Sequence, residues 1–190
     1  MQISTGPDGV PRCGWCTGTP VYVAYHDDEW GRPVHGDAPL FEHLALEAFQ
    51  AGLSWSTILH KRDAFRSAFA GFDPQTVAGY GDADVDRLLA TDGIVRNRAK
   101  IEATIDNARL VVALAGGLDA LLWSYAPDTV RPRPRSTSEV PASTPESTAM
   151  ARELRRRGFR FIGPVGAYAM MQSTGMVDDH LVGCHLAVDG

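Results

Sequence analysis

Cysteine and histidine side chains stand near both ends of the sequence, and these residue types bind transition metals. Cys13 and His26 lie near the N-terminus, and His180 and Cys184 stand one helical turn apart near the C-terminus. Two thiolates and two imidazoles make a complete tetrahedral zinc set. Chance placement is the competing interpretation, and Cys16 also forms a Cys-x2-Cys pair with Cys13, which would suit a zinc knuckle or a redox motif.

A glutamate stands inside the apolar helical pattern "LEAFQAGLSW" at 46–55. Burying Glu47 there is costly unless its carboxylate has partners or a task. Trp55 follows the turn "AGLS", and one carboxylate beside several large rings suits a pocket for a flat, electron-poor ligand. The alternative is that Glu47 lies on a polar helix face with Glu42 and His43.

The segment "DRLLATDGIVRNRAKIEATIDNAR" has the pattern of two helices joined by a tight turn at Gly93. Free backbone N–H groups at such a turn, and at the start of the next helix, suit phosphate binding. Because Arg96, Arg98 and Lys100 stand beside the turn, the unit resembles a helix–hairpin–helix module for the DNA backbone. An ordinary αα-hairpin with polar residues on its outer side is the alternative.

Composition favours one globular domain in a reducing compartment. The chain has 190 residues, 44% of them hydrophobic, and three cysteines, a number that does not suit a disulfide framework. No apolar run reaches the roughly 18–20 residues of a membrane span, and the first residues lack a secretion signal. We therefore expect a cytoplasmic protein without membrane contact. The net charge of −5 argues mildly against a nucleic-acid partner, although basic clusters at 96–100, 131–135 and 152–160 soften that argument.

The elements that must position these residues are predicted to be helices almost throughout. Apolar side chains at helical spacing indicate helices over 39–52, 55–69 and 96–115. Ser54, Asp73 and Thr144 are the expected caps of helix starts, the last two each before a proline. The proline-rich stretch 127–143 is typical of an irregular loop. Because no repeat and no convincing sheet is evident, the sequence predicts an all-α fold.

Six stretches of the sequence stand in an order that matches one known family. They are "RCGW" (12–15), "YVAYHDDEWG" (22–31), "LFEHLALEAFQAGLSW" (40–55), "DGIVRNRAKI" (92–101), "RRGFRFIGP" (156–164) and "DDHLVGC" (178–184). Together they resemble the 3-methyladenine DNA glycosylase I (Tag) family. The resemblance runs from the first cysteine almost to the C-terminus and leaves out mainly the first dozen residues and the loop at 127–143.

The resemblance implies a helical bundle of the helix–hairpin–helix DNA glycosylase type, with its N- and C-terminal segments tethered by zinc. We expect one glycosylase domain over 1–190 with two helical lobes, the hairpin at about 83–110 and a zinc lobe formed by 12–31 and 160–186. The implied activity is base-excision repair: a monomeric, monofunctional N-glycosylase flips 3-methyladenine out of alkylated double-stranded DNA. Such an enzyme hydrolyses the glycosidic bond without a covalent lysine intermediate and releases the free base.

The family's functional residues fall on matching positions of this sequence. The implied base pocket consists of Glu47, as the catalytic residue that orients base and water, with Trp15, Tyr22, Tyr25 and Trp55. The implied ligands of one structural Zn²⁺ per chain are Cys13, His26, His180 and Cys184. The residues expected at DNA are Leu53, which would fill the gap left by the flipped base, and the hairpin residues Gly93, Ile94, Arg96, Arg98 and Lys100. For Leu53, a place in the hydrophobic core is the alternative.

This chain departs from the family at several positions. Ala48 and Phe49 replace a Gly-Gln pair that members often carry after the pocket glutamate, and Cys16 and His185 are additional donors that would compete for zinc. The long helix after the hairpin offers only Asp106, and since the family is understood to lack a catalytic aspartate there, no nucleophile is assigned. Rival functions are a catalytically silent binder of alkylated DNA and a zinc-stabilised helical interaction protein.

Overall fold

The computed structural model describes residues 2–187, which fold mostly into helices. The α-helices are α1 (Pro20–Asp28), α2 (Asp37–Gln50), α3 (Trp55–Ala68), α4 (Pro74–Ala78), α5 (Asp82–Ala90), α6 (Arg98–Ala113), α7 (Gly117–Trp123), α8 (Pro145–Arg156) and α9 (Pro164–Ser173). A 3₁₀ turn over Ala70–Phe72 joins α3 to α4. The mostly helical class is confirmed, and the stretch 127–143 contains neither helix nor strand, as predicted.

Two short strands are the exception to the all-α prediction. β1 (Ile3–Thr5) and β2 (Pro11–Cys13) pair antiparallel, with Ile3 opposite Cys13. Each strand has three residues, which is too short for an alternating pattern to be visible in the sequence. The N–H of His185 donates to the carbonyl of Pro11 at 2.9 Å, so this hairpin brings Cys13 to the C-terminal segment.

Side-chain caps set several helix starts where the sequence predicted them. The Ser54 hydroxyl accepts a hydrogen bond from the N–H of Thr57 at 3.2 Å, at the start of α3. Asp73 and Thr144 cap α4 and α8, each directly before a proline in the first turn. These oxygens satisfy N–H groups that have no partner within the helix, and they fix where each helix begins.

The centre of the fold is α2, which packs against α3, α6, α7 and α9. Its buried side chains join those of α6 and α9 in one hydrophobic core. A smaller cluster consists of Cys13, Leu181 and Cys184, where the two terminal segments meet. No helix within residues 2–187 combines the length and the apolar character needed to cross a bilayer.

Candidate active site and metal group

A cavity of about 510 Å³ lies beside α2, and all five predicted pocket residues line it: Trp15, Tyr22, Tyr25, Glu47 and Trp55. Helix α1 contributes the two tyrosines, α2 contributes the glutamate, and Trp55 is the first residue of α3. The volume lies in the range of small-molecule sites. The structure therefore brings the predicted pocket residues together from three separate helices and the segment before α1.

Aromatic rings hold one another in place around this cavity. Trp15 meets Tyr22 edge-on at 5.9 Å between centroids and meets Tyr25 edge-on at 6.4 Å. On the other side, Tyr25 and Trp55 are 5.4 Å apart with their planes tilted by 47°. Ring contacts of this kind stabilise a fixed geometry of the aromatic side chains around the cavity.

Glu47 is the acidic residue of α2 that faces this aromatic cavity. Burial raises the pKa of Glu47 to about 8, and no neighbouring charge or hydrogen bond offsets that effect. The Cβ of a side chain at Gly166 would lie 3.9 Å from Glu47 Oε2, so α9 closes against the carboxyl. Glu47 therefore lines the cavity and is half-buried, as Glu42 and His43 are. With its raised pKa it is an acid that a cationic ligand would convert to its ionised form.

An ion pair that the sequence did not reveal lies over the ring of Tyr25. Arg62 of α3 donates two hydrogen bonds of 2.6 Å to the carboxylate of Glu29. The guanidinium carbon of Arg62 lies 5.8 Å from the centre of the Tyr25 ring. Burial raises the pKa of the Tyr25 phenol, and the Glu47 carboxylate acts in the same direction. Tyr25 therefore stays protonated and can donate a hydrogen bond near Glu47.

A compact group of side chains that could hold a metal ion lies next to the cavity wall. The ligand atoms of Cys13, His26 and Cys184 all lie within 4.8 Å of one another, and all three residues are buried. His26 Nε2 is 3.5 Å from Cys184 Sγ. Hydrogen bonds from Cys13 and His26 hold the pKa of the Cys184 thiol well below its usual range, which favours the thiolate that metals bind.

His180 lies beside this group of three. Its Nδ1 lies 2.9 Å from Asp178 Oδ1, and its Nε2 is buried with no hydrogen-bond partner among residues 2–187. His26 has the same arrangement, with Nδ1 at 2.7 Å from Asp27 Oδ1. The two rings are 5.2 Å apart. A carboxylate on Nδ1 leaves Nε2 as the donor for a metal, so these residues fit a transition-metal site.

The two additional donors noted in the sequence, like His180, lie outside the compact group of three. Cys16 is fully buried, its N–H donates to the Cys13 carbonyl at 3.1 Å, and its side chain hydrogen-bonds to His26. His185 directs Nδ1 to the carbonyl of Pro11 at 3.2 Å and Nε2 towards Asp27 at 3.6 Å. The ring nitrogens of His185 thus have protein partners.

The turn after α2 exposes Leu53. This side chain is 42% exposed, so the alternative of a core leucine is wrong. Gly52 adopts a φ of +82°, a conformation that L side chains rarely adopt, and the Leu53 N–H donates to the Gln50 carbonyl at 2.6 Å. The turn therefore presents an apolar side chain to solvent beside the helix that carries Glu47.

The turn between α5 and α6 requires a glycine. Gly93 has a φ of +88°, and an added Cβ would meet the Ala64 Cβ at 2.8 Å. Ile94 is buried, so its side chain belongs to the core and supports the turn from inside. Arg96 and Arg98 are exposed, with Arg98 bonded to Asp86 at 2.8 Å.

Lys100 differs from the expectation that it stands beside phosphate groups. It is 7% exposed, and its ammonium group donates to the carbonyls of Phe49 at 2.8 Å and Ala51 at 2.6 Å. Lys100 is therefore withdrawn from the set of DNA-contacting side chains. The sequence could not separate it from its arginine neighbours because all three have the same charge and alternate with other residues shortly after Gly93.

Sequence reasoning also missed an acid in the cavity wall. Asp179 lines the cavity and is nearly fully buried. It accepts hydrogen bonds from the Tyr168 hydroxyl and, at 2.8 Å, from Gln172 Nε2. The available signal was the pair of acids directly before His180. Asp178 holds the His180 ring, and Asp179 faces the cavity.

Comparisons with known proteins give one consistent result. A sequence profile of the methyladenine glycosylase family matches residues 15–187. The chain is 44% identical over 179 residues to DNA-3-methyladenine glycosylase 1 of Escherichia coli, covering 92% of this chain and 96% of that protein.

Solved structures agree. A crystal structure of 3-methyladenine DNA glycosylase I superposes with a TM-score of 0.88 at 42% identity, covering 92% of this chain and 98% of the other. A variant of such an enzyme in complex with 3-methyladenine superposes with a TM-score of 0.86 at 35% identity, covering 92% and 96%. Because the profile spans most of the sequence and the identities extend over nearly the whole chain, this protein belongs to the methyladenine glycosylase family.

Proposed function

We propose that this chain is a DNA repair glycosylase that hydrolyses the glycosidic bond of 3-methyladenine in alkylated double-stranded DNA. The single observation that carries the proposal is Glu47, a carboxyl in an aromatic cavity with a pKa raised to about 8 by burial. A neutral ligand would gain little from such an acid, whereas a cationic base ionises it and pairs with it. Family membership supports the same assignment.

Methylation at N3 makes adenine cationic while it is attached to deoxyribose. Cleavage lets the base leave as a neutral molecule, so strong acid catalysis is unnecessary. The enzyme must flip the base out, recognise it and admit water, and flipping costs a few kcal/mol, less for a damaged pair. Tyr25 and Trp55 stack on the cationic ring, an interaction that normal adenine makes less well.

Glu47 then has two tasks in this mechanism. It accepts hydrogen bonds from the edge of the base, and it orients the water that attacks the sugar carbon. Pairing with the cation selects the lesion, but equal stabilisation of ground and transition state does not speed cleavage. The rate gain therefore comes from the positioned water.

The reaction proposed is monofunctional, without a covalent intermediate. The residues that line the cavity include no lysine. Asp106, the aspartate on α6, pairs with Arg109 at 3.1 Å and with Arg160 at 3.0 Å on the surface and does not line the cavity. Lys100 is occupied by two carbonyl oxygens.

One structural zinc ion forms part of the proposal. Cys13, His26, His180 and Cys184 would hold it, supported by the orphaned Nε2 of His180 and the thiolate character of Cys184. The ion would link the two terminal segments, and its chemistry here is that of a cross-link. Since His26 follows Tyr25 directly, the link would also stabilise the cavity wall.

Contact with DNA is proposed at two turns. Leu53 enters the space that the flipped base leaves, supported by its exposure at the tip of the turn after α2. The backbone N–H groups around Gly93, with Arg96 and Arg98, bind the phosphate backbone. The expected monomeric state, the two-lobed single domain and the cytoplasmic location remain predictions.

The test is base release from methylated duplex DNA, with chromatographic identification of every base released. We expect free 3-methyladenine and no normal adenine. Tight, salt-dependent binding to the alkylated duplex without release would instead identify a silent damage binder. Absence of both release and salt-dependent binding would favour the helical interaction protein.

A further inference from the structure

The buried position of Lys100 is the strongest feature that the proposed function leaves unexplained. An ammonium group is strongly hydrated, so burying it is costly unless acceptors replace the water. Here two backbone carbonyls do so, at 2.8 Å from Phe49 and 2.6 Å from Ala51, and burial lowers the pKa of Lys100. The Thr104 hydroxyl donates a hydrogen bond of 2.9 Å to the backbone carbonyl of Lys100 itself.

The two carbonyls lie where α2 ends. Phe49 is in the last turn of α2 and Ala51 is its C-cap residue. The last carbonyls of a helix have no partner within the helix, and a cation there interacts favourably with the helix dipole. Lys100 is thus the cap of the helix that carries Glu47, supplied by another element of the fold. Two residues beyond Ala51 the chain reaches Leu53.

The other end of this contact lies at the hairpin. Lys100 stands in the first turn of α6, where its own N–H donates to the Asn97 cap at 3.1 Å. This first turn of α6 begins at Arg98, five residues after Gly93. Lys61 of α3 also donates to the carbonyl of Gly93, at 3.2 Å. One pair of short hydrogen bonds therefore joins the first turn of α6 to the end of α2.

We propose that Lys100 is a positioning residue that couples the phosphate-binding hairpin to the Leu53 turn. We call its two hydrogen bonds the Lys100 brace. When the hairpin engages the DNA backbone, the brace holds the Leu53 turn at the depth where its side chain enters the duplex. This inference rests on the proposed function and assigns Lys100 a role in base extrusion without contact to substrate or phosphate.

The variant Lys100→Met keeps the aliphatic chain and removes the donors. We expect the maximal single-turnover rate of 3-methyladenine release to fall about tenfold, because two buried carbonyls lose their partner and the turn loses its register. The slope of DNA affinity against salt should not change, since no phosphate contact is lost. Affinity for free 3-methyladenine, measured by tryptophan fluorescence, should also stay within about twofold because the pocket is intact.

A double-mutant cycle with Leu53→Ala separates the brace from general destabilisation. If Lys100 acts through Leu53, adding Lys100→Met to Leu53→Ala should lower the rate by less than about twofold further. Additive losses of rate in the double mutant would overturn the proposal. It would also be overturned if Lys100→Met reduced the slope of DNA affinity against salt by about one and left the maximal rate unchanged, because that result marks a phosphate contact. The matched control is Arg96→Gln, which should reduce that slope by about one.

A second variant covers the case in which Lys100→Met does not fold. Lys100→Arg keeps the charge and the donors, and we expect at least partial retention of the release rate under the same cycle. A fully additive loss in the folded Lys100→Arg protein would contradict the brace. If the wild-type chain releases no 3-methyladenine, the proposed function fails; if it does and the cycle is additive, only the brace fails.

Discussion

The side chain proposed to decide the chemistry is Glu47, and its environment explains why a carboxyl would be useful there. Burial raises its pKa to about 8, so in the free protein at pH 7 the acid is mostly protonated. A cationic base requires the ionised form. Binding therefore includes loss of a proton from Glu47, and the reaction acquires a pH dependence that a neutral substrate would not impose.

We expect kcat/KM for base release to rise with pH, roughly tenfold per pH unit below 8, and to level off above about 8. This parameter reports ionisation in the free enzyme, where Glu47 must lose its proton. In Glu47→Gln the rate should be low and the rising limb absent. A wild-type profile that is flat between pH 6 and 9, or a limb that persists in the variant, would show that another group controls the reaction.

Glu47 should also lower stability at alkaline pH. Its pKa is about 8 in the folded protein against an ordinary value of 4.5, so between these values the folded state holds a proton that the unfolded state has lost. Stability contributed by the neutral carboxyl is complete below pH 4.5 and decreases as pH rises towards 8. We expect Glu47→Gln to melt a few degrees higher than wild type at pH 8.5 and at nearly the same temperature at pH 4.5. An unchanged difference across this range would argue against the raised pKa.

At the scale of elements, periodicity and capping residues predicted most helices. Ser54, Asp73 and Thr144 cap helices as expected because N-cap chemistry is local in sequence. The β1–β2 hairpin was missed, since three-residue strands carry no readable alternation. Of the pocket, the rings and Glu47 were predictable through the resemblance, whereas Asp179 is joined to the cavity only by tertiary packing.

The burial of Lys100 shows a second limit of sequence reasoning. Charge and spacing place Lys100 in one class with Arg96 and Arg98, and only the packing of α2 against α6 distinguishes them. The same holds for the roles of Asp27 and Asp178, which hold the imidazoles of His26 and His180. Adjacent acids in a sequence do not indicate which one faces a metal group.

The two terminal segments meet at the group formed by Cys13, His26 and Cys184, so we expect their stability to depend on zinc. We expect the purified protein to contain about one zinc per chain, and Cys184→Ser to lose it and melt at least several degrees lower. Because His26 follows Tyr25, affinity for 3-methyladenine should fall as well. Cys16→Ala is the comparison variant: this thiol is equally buried and hydrogen-bonds to His26, but it is not among the four proposed ligands, so zinc content should be retained. Full zinc content in Cys184→Ser, or stability indifferent to a chelator, would contradict the proposed ligands.

For the molecule as a whole, a net charge of −5 must be reconciled with binding to a polyanion. Contacts at the hairpin can achieve this when phosphate groups replace the acids that now pair with the arginines: Asp92 lies 3.7 Å from Arg96, and Asp86 lies 2.8 Å from Arg98. We expect the salt slope of duplex binding to fall by about one in Arg98→Gln. Arg156, which pairs with Glu153 on α8, serves as the control, and Arg156→Gln should leave the slope unchanged. Equal slopes in both variants would remove the hairpin from the DNA interface.

We propose above all that Glu47 and its aromatic cavity excise 3-methyladenine. The most direct measurement is the single-turnover rate of 3-methyladenine release from a duplex methylated at adenine N3, for the wild-type protein and for Glu47→Gln. We expect the wild-type protein to release 3-methyladenine and the rate in Glu47→Gln to be lower by about a hundredfold or more. No release above spontaneous depurination, or equal rates for the two proteins, would contradict it.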